Sequence, residues 1–326
     1  GELVAWLERV VGHPASSAAA AQAEWLFYRG EPSRNGRVDG GLPHLRVHWK
    51  SVPLLPYPEL ESLVDDTVVE LRRQSYSTEF ATFPLAVDNR VITRTVQGLM
   101  AFDFYSGKLL WRAGENQNPI SKSWFRAGLS PLQDGMEIER SNAFTQHLWR
   151  NRLFGVLSSD GERVFAIDHL QIPVTGRWQA PVARGPGGRA GGMPRSMARQ
   201  SPINNLSAYE LAAEGRLAWQ LDGVSGPEPL QDAFFLGAPL VLGQSLYGLA
   251  EIKGAIFLIV LEAESGKFIW RQQLVSLEKG IESDPFRRLM STSPSFDSGI
   301  LVCPTGVGVV VGVNLSMRSL AWAYRY

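Results

Sequence analysis

Short runs of apolar and β-branched residues, each bounded by small or polar turn residues, recur from residue 83 to the end of the chain. Runs of this length and composition predict β-strands. Clear examples are residues 91–95, 238–241, 247–251, 256–261 and 300–305. Helical spacing occurs in residues 2–11 and again in residues 59–74, which are polar with a few apolar positions. The pattern therefore predicts an all-β chain with a short N-terminal helix and one surface helix.

One arrangement of two strands and a turn occurs four times, and each copy ends in tryptophan. Each copy has an apolar strand, a small or acidic turn, and a second strand that reaches the tryptophan. The copies are residues 101–111, 211–219, 261–270 and 313–322. The tryptophans of the last three copies lie 51 and 52 positions apart, which suits a repeated unit of four strands.

The turn of the first copy explains why its residue types recur. The side chain of Asp103 can accept hydrogen bonds from the backbone amides that follow it. Gly107 supplies the left-handed backbone that a short hairpin with a bulge needs. Trp111 then offers a large flat surface for packing against the next unit. We expect equivalent structural roles in the other copies for Gly215, Trp219, Glu262, Gly266, Trp270, Asn314 and Trp322.

Two copies depart from this turn pattern. The copy at 211–219 lacks an acidic residue at the position of Asp103, unless one residue is inserted and Glu210 takes that position. The copy at 313–322 has Asn314 in place of the acid, and Ser319 where a glycine would favour the turn.

These residues resemble the tryptophan-docking motif of quinoprotein-like β-propellers with PQQ-like repeats, which reads Ala-x-Asp-x-x-Thr-Gly-x-x-x-Trp. Residues 101–111 match it with Ser106 in place of threonine. Residues 25–36 are similar to a segment that precedes many bacterial propellers of this kind. The resemblance implies an all-β fold of about four blades, similar to the first half of a seven- or eight-bladed ring in large planctomycete-type proteins. In that family the docking residues hold blades together and are not catalytic.

The repeat divides the chain into two regions. Residues 1–24 are predicted to be the end of an upstream helical region and a linker, and residues 25–326 a partial propeller. Blade units are predicted at residues 83–112, 150–222, 234–274 and 290–326. We interpret the distance from Trp111 to Trp219 as one blade with insertions at 113–150 and 171–204, in preference to two blades.

Composition narrows the classes of function. The chain has 326 residues and a formal net charge of zero, so no global field attracts nucleic acid or an anionic membrane. Its most apolar run, residues 256–261, is too short to cross a bilayer. Cys303 is the single cysteine, which excludes an intramolecular disulfide, and we expect it to be a buried apolar residue because a reactive thiol needs exposure and positive charge nearby.

Two groups of arginines are candidate binding residues. Residues 171–204 contain five arginines, no acidic residue and six glycines. They form either an arm that binds an acidic partner or nucleic acid, or a solvated loop without a dedicated partner. We expect the solvated loop. These arginines are Arg177, Arg184, Arg189, Arg195 and Arg199. Arg29 and Arg34 either form a ligand site or donate to carbonyls in a covering loop, and we expect the second.

Catalytic and metal-binding patterns are weak in this sequence. The five histidines include no pair with zinc-site spacing, and the glycine-rich residues 185–192 follow no strand and open no helix, as a dinucleotide site requires. The resemblance implies one alternative with catalytic activity, a quinone (PQQ)-dependent dehydrogenase. Such an enzyme needs an aspartate base, a calcium ion held by glutamate and asparagine, and often adjacent cysteines, and missing blades would have to complete its site.

The sequence therefore favours a non-catalytic propeller scaffold that binds protein or ligand, with the dehydrogenase as the alternative. We expect neither PQQ nor calcium as a cofactor, and no nucleic-acid partner. Expected partners are another protein and the remaining blades of the same longer chain. The barrel-assembly lipoprotein of Gram-negative envelopes is a propeller with the same motif, and by that resemblance we expect an extracytoplasmic location.

Overall fold

The computed structural model describes eight stretches of the chain, and all structural statements below concern them. They are residues 24–36, 47–50, 58–95, 98–114, 146–168, 204–223, 226–284 and 286–326. The predicted N-terminal helix, most of both predicted insertions and the five arginines of residues 171–204 lie outside the described residues.

The first two sheets are four-stranded antiparallel meanders, in which each strand pairs with the next. Blade 1 consists of β1 (Leu85–Val87), β2 (Arg90–Thr95), β3 (Gly98–Asp103) and β4 (Leu109–Ala113). Blade 2 consists of β5 (Ser158–Ser159), β6 (Arg163–Asp168), β7 (Asn205–Glu210) and β8 (Arg216–Asp222). Among the described residues, one sheet therefore lies between Trp111 and Trp219.

The remaining sheets repeat the meander with small variations. Blade 3 consists of β9 (Ala233–Phe235), β10 (Leu240–Leu242), β11 (Ser245–Ile252), β12 (Ala255–Glu262) and β13 (Phe268–Ser276). Both β9 and β10 pair with β11, so its first strand position is filled in two pieces. Blade 4 consists of β14 (Ser295–Asp297), β15 (Ile300–Pro304), β16 (Val309–Asn314) and β17 (Ser319–Arg325).

Helices occupy the connections. The predicted surface helix is α1 (Pro58–Arg73), and α2 (Arg152–Gly155) follows a π-helical turn at Gln146–Arg150. Short 3₁₀ turns lie at Glu228–Leu230, Ile281–Ser283 and Arg287–Leu289. Of the described helices, none combines the length and the apolar character that a bilayer span requires.

The register between the third and fourth strands is equivalent in all four blades. Each repeat tryptophan faces a residue of the third strand, and the pairing shifts directly after that residue, as a β-bulge does. The four pairs are Ala101 with Trp111, Ala208 with Trp219, Val260 with Trp270, and Gly312 with Trp322. Four meander sheets with this common register are four consecutive blades of a β-propeller, so the predicted all-β fold is confirmed.

The core lies between the blades. One cluster of buried side chains runs through blades 2, 3 and 4 and includes Phe165, Leu258 and Leu301. A second cluster joins blade 1 to blade 2, with Leu99 and Val164 among its members. Strands covered on both faces need continuous apolar sequence, which explains why residues 258–261 are all buried and show no alternation.

Residues 24–36, here named the crossing segment, connect the first strands of three blades. Trp25 and Ala86 of β1 exchange backbone hydrogen bonds of 2.7 and 3.1 Å. Ser159 of β5 donates its amide to Leu26 O, and Phe296 of β14 donates its amide to Pro32 O, each at 2.9 Å. The segment thus fixes blades 1, 2 and 4 relative to one another along their first strands.

Candidate functional site

The turn between the third and fourth strands of blade 1 has the predicted geometry. The Asp103 carboxylate accepts hydrogen bonds from the hydroxyl and the backbone amide of Ser106, both at 2.7 Å. These bonds, that from the hydroxyl first, hold the pKa of Asp103 below its usual value. Gly107 donates its amide to Asp103 O at 2.9 Å and has a φ of 68°. The turn therefore needs both the acceptor and the glycine.

Blades 2 and 3 form related turns. Gly266 donates to Glu262 O at 2.9 Å, and the Ser265 hydroxyl donates to the Glu262 carboxylate. In blade 2, Gly215 donates to Glu210 O at 2.8 Å. Glu210 therefore takes the acidic position, with one residue inserted before Gly215. Its carboxylate accepts from the Arg216 guanidinium instead of a serine.

Each of these glycines lies beneath a tryptophan of the preceding unit. A Cβ added to Gly215 would come within 2.6 Å of the Trp111 ring, and one added to Gly266 within 2.7 Å of the Trp219 ring. Trp219 also donates its Nε1 to Ala263 O at 3.1 Å. Among the described residues, the buried Trp111 Nε1 has no acceptor, although its ring covers the turn in the same way. We call each such tryptophan–turn contact a blade seam.

The seam between blades 3 and 4 corrects the sequence interpretation. The left-handed residue of the blade 4 turn is Arg318, with a φ of 50°, and Ser319 is already the first residue of β17. Asn314 accepts the Met317 amide at 2.9 Å, in the role of the missing acid. The guanidinium of Arg318 lies 5.8 Å from the centroid of the Trp270 ring. A cation–π contact thus covers this tryptophan, where other seams use a glycine.

The turn of blade 1 is covered by Trp49, a residue that the repeat pattern did not identify. A Cβ on Gly107 would come within 2.4 Å of the Trp49 ring, and Trp49 donates its Nε1 to Phe104 O at 2.8 Å. The signal was available in part, because residues 45–49 alternate like a strand. No acidic turn precedes Trp49 at the repeat spacing, so it does not match the repeat pattern.

The last repeat tryptophan has different surroundings. Trp322 lies over Gly312 of its own blade, where an added Cβ would come within 2.2 Å of the indole. It is 42% exposed, whereas Trp111 is 8% exposed. Every residue of β17 is exposed, so this outer strand has no cover within the described part of the chain.

Two buried acids hold blades and loops together. Asp168 accepts from Arg94 of blade 1 and, at 2.6 Å, from the Tyr209 hydroxyl, and all three side chains are buried. Glu251 accepts from Arg287 and from the Ile281 amide at 2.6 Å, which fixes the connection between blades 3 and 4. Burial, foremost, and the charge of Asp168 raise the pKa of Tyr209.

Cys303 lies in β15 with no exposed surface, as predicted, and burial raises the pKa of its thiol to about 12. Within the described stretches, no cluster of three or more histidine, cysteine or acidic side chains is arranged to hold a metal ion.

A basic cleft of about 270 Å³ lies between the crossing segment and the start of blade 4. Its polar lining consists of three arginines, three serines and one tyrosine, and its apolar lining of Phe83, Val156 and Pro304. The polar residues are Tyr28, Arg29, Arg34, Arg152, Ser291, Ser293 and Ser295. The crossing segment, α2 and residues 291–295 at the entry to blade 4 supply these residues, and no local sequence pattern groups them.

Arg34 is the most buried cation of this cleft. It donates from Nη1 to Tyr28 O at 2.9 Å, and from Nε and Nη2 to Pro294 O at 3.4 and 3.3 Å. Arg34 therefore donates to backbone carbonyls, as predicted from the sequence. Burial lowers its pKa to about 10, so the guanidinium stays charged at neutral pH.

No protein-family model matches the chain, and no curated protein matches it. Similar solved structures include the quinohemoprotein alcohol dehydrogenase ADHIIG from Pseudomonas putida HK5, at 16% identity and a TM-score of 0.39, covering 74% of this chain and 33% of that chain. The quinohemoprotein alcohol dehydrogenase from Comamonas testosteroni is 15% identical, with a TM-score of 0.40, and the match covers 75% of this chain and 34% of that one. BamB from Moraxella catarrhalis is 12% identical, with a TM-score of 0.31 and coverage of 74% and 63%. The chain thus spans about a third of the length of the two dehydrogenases.

Proposed function

We propose that the chain is a non-catalytic propeller scaffold that binds protein, and that the outer face of blade 4 is its binding surface. The supporting observation is a row of large side chains on β17 and just beyond it. Trp322, Tyr324 and Tyr326 follow the β-bulge of β17 at alternate positions, which share one face of a strand. They are 42%, 66% and 70% exposed. An exposed apolar row of this kind is typical of surfaces that another protein segment covers.

The internal seams indicate which partner fits this face. A seam tryptophan lies on a turn with a left-handed residue, and in the seams of Trp49 and Trp219 its Nε1 donates to a turn carbonyl. The four described turns of this kind already carry Trp49, Trp111, Trp219 and Trp270. A second copy of the chain therefore offers no free turn in its described part. The partner that fits this face brings its own blade-type turn, as another protein or a further blade of the same longer chain would.

The buried acids support the non-catalytic part of the proposal. Asp168 and Glu251 are each bound by an arginine and by a second donor, and each links separate parts of the propeller. Acids held in this way stabilise the fold, and their burial keeps them from a substrate.

The envelope location belongs to the same proposal. Its support is the resemblance of the repeat motif to that of the barrel-assembly lipoprotein. Fractionation of the source cells tests it, since an extracytoplasmic scaffold will be released with the envelope fraction.

A peptide that copies one turn of the chain tests the binding surface. The probe is a cyclised peptide with the sequence of residues 256–270, whose turn holds Trp219 in the protein. We expect the peptide to shift one indole N–H resonance, that of Trp322, in ¹⁵N–¹H spectra of the full chain. Trp322→Ala should remove that resonance and abolish peptide binding. Phe286→Ala, which truncates a more exposed aromatic side chain outside β17, will leave binding unchanged.

Two outcomes overturn the binding surface. One is the absence of any shift at millimolar peptide. The other is binding that persists in Trp322→Ala or with a peptide carrying Gly266→Val, because that valine blocks the site of the indole.

Thermal unfolding with and without PQQ and calcium tests the dehydrogenase alternative. A ligand that binds the native state raises the melting temperature by mass action. We expect PQQ with calcium to leave the melting temperature of the chain unchanged. A rise of several degrees would favour the enzyme and contradict the non-catalytic scaffold.

A further inference from the structure

We propose that the basic cleft binds an oxyanion, a carboxylate or phosphate group of a small ligand. This site is separate from the β17 face, and the proposal does not depend on which protein binds there. Three observations carry it: a partly buried arginine without a counter-charge, a row of serines, and two arginines held in a strained backbone.

Arg34 is a cation whose contacts leave its charge uncompensated. Its three hydrogen bonds all go to backbone carbonyls, and among the described residues no carboxylate lies within 4.0 Å of Arg29, Arg34 or Arg152. A guanidinium has more N–H donors than these bonds use. An anion in the cleft would offset the desolvation of Arg34 and use those donors, and charge-assisted bonds of this kind are strong.

Ser291, Ser293 and Ser295 line the same space, and Ser291 and Ser295 present hydroxyl donors to it. They alternate with buried Thr292 and Pro294, so the serines share the face that lines the cleft. This stretch is fixed on blade 3, because the Thr292 amide donates to Leu236 O at 2.8 Å and the Ser293 hydroxyl to Ala238 O at 2.7 Å. The row is therefore preorganised, which lowers the entropy cost of binding.

Two of the three arginines occupy a backbone conformation that side chains rarely adopt. Arg29 has a φ of 65° and Arg34 a φ of 63°. This conformation is unfavourable for residues with a side chain, so the surrounding structure has to hold it in place. Arg29 O accepts the Gly36 amide at 3.0 Å, so the crossing segment folds back on itself and carries both side chains to the cleft. Strain of this kind clusters at functional sites.

The size and charge of the cleft define the class of ligand. A volume of about 270 Å³ is just below the usual range of ligand pockets, so it fits a small molecule. Arg29 and Arg152 are exposed at the cleft, whereas Arg34 is partly buried, so positive charge extends from its surface into its interior. Its described lining contains no acidic side chain that would repel an anion.

Calorimetric titration of the full chain tests the proposal, with phosphate in one arm and citrate in the other, in chloride buffer of matched ionic strength. We expect binding in at least one arm, and the arm that binds identifies phosphate or carboxylate as the ligand group. Arg152→Ala should weaken that binding about tenfold, since a hydrogen bond from a charged donor contributes on the order of one such factor. Arg152→Glu should abolish it.

Arg73→Ala is the matched control, because Arg73 is an exposed arginine on α1 outside the cleft. We expect its affinities to equal those of the unmodified chain. Arg34→Lys keeps the charge but loses the planar fork, and should also weaken binding while circular dichroism shows a folded protein. The proposal is wrong if neither anion binds at millimolar concentration, or if Arg73→Ala weakens binding as much as Arg152→Ala.

Discussion

Trp49 lies so close to Gly107 that a single added carbon on the glycine would come within 2.4 Å of the indole ring. The tryptophan and the glycine belong to different parts of the sequence, yet they form the same contact as Trp111 with Gly215 and Trp219 with Gly266. The blade seam is therefore a relation between a ring and a bare backbone turn. It recurs even where the tryptophan has no repeat motif of its own.

The energetic cost of overlap with the tryptophan ring can be separated from the cost of the left-handed backbone. Gly266 and Gly254 have similar φ values of 70° and 77°, but a Cβ on Gly254 would meet nothing within 4 Å. Gly254→Ala should lower the free energy of unfolding by about 1–2 kcal/mol, the cost of the left-handed backbone. Gly266→Ala should lose about 1–3 kcal/mol more, because its methyl group overlaps Trp219. Denaturant unfolding measures both, and equal losses would show that the seam has room to adjust.

The buried pair of Arg94 and Asp168 should be far more important for stability than an exposed pair. Asp168→Asn leaves the Arg94 guanidinium buried without a counter-charge, and should lower the free energy of unfolding by about 3–5 kcal/mol. Glu210→Gln removes the partner of the exposed Arg216, and should cost less than about 1 kcal/mol. Urea titrations of the two variants make the comparison. A loss below 1 kcal/mol in Asp168→Asn would contradict the structural role of the pair.

Arg318 combines an unfavourable backbone with a favourable side-chain contact. Arg318→Gly removes the strain at φ 50° and also the cation–π contact with Trp270, whereas Arg318→Ala removes only the contact. We expect the glycine variant to be more stable than the alanine variant by about 1–2 kcal/mol. Thermal unfolding checks the order of the two. The reverse order would mean that the turn changes its conformation when the guanidinium is lost.

The thiol of Cys303 should be inert in the native protein. Burial raises its pKa from the usual 9.0 to about 12, so the native state favours the neutral thiol. The unfolded chain then ionises first, and the free energy of unfolding should fall as the pH rises from about 9 towards 12. A disulfide reagent at pH 8 should label the chain only after denaturant is added, with Cys303→Ala as the blank. Rapid labelling without denaturant would show that β15 opens readily.

The sequence was sufficient for those features that repeat locally. Asp103, Gly107 and Trp111 lie within eleven consecutive positions, and their residue types follow from the turn that they form. The same local pattern located Gly215 and Gly266. In blade 4 the pattern placed the position equivalent to glycine at Ser319, which is one residue too late. Neither Arg318 nor Ser319 is a glycine, and only the positive φ of Arg318 identifies it as the left-handed residue of the turn.

Features that join distant parts of the chain were not predictable in this way. Arg94 and Asp168 are separated by 74 positions, and neither shows a pattern in its own neighbourhood that indicates the other. The basic cleft combines the crossing segment with serines at the entry to blade 4. These residues are far apart in the sequence, and only the arrangement of the blades brings them together. The five arginines of residues 171–204 lie outside the described residues, so their role as a partner-binding loop stays a prediction.

The crossing segment sets a limit on the order in which the protein can mature. Arg34 bonds to Pro294 O, 260 positions later, and Pro32 accepts the amide of Phe296. Because a ribosome supplies the chain from its N-terminus at a finite rate, these contacts of residues 24–36 form only after Pro294 and Phe296 have been synthesised. Contacts of such long range also form slowly. During that interval the inner strands of blades 1 and 2 can already be held together, whereas the anion-binding space stays open on one side until blade 4 arrives.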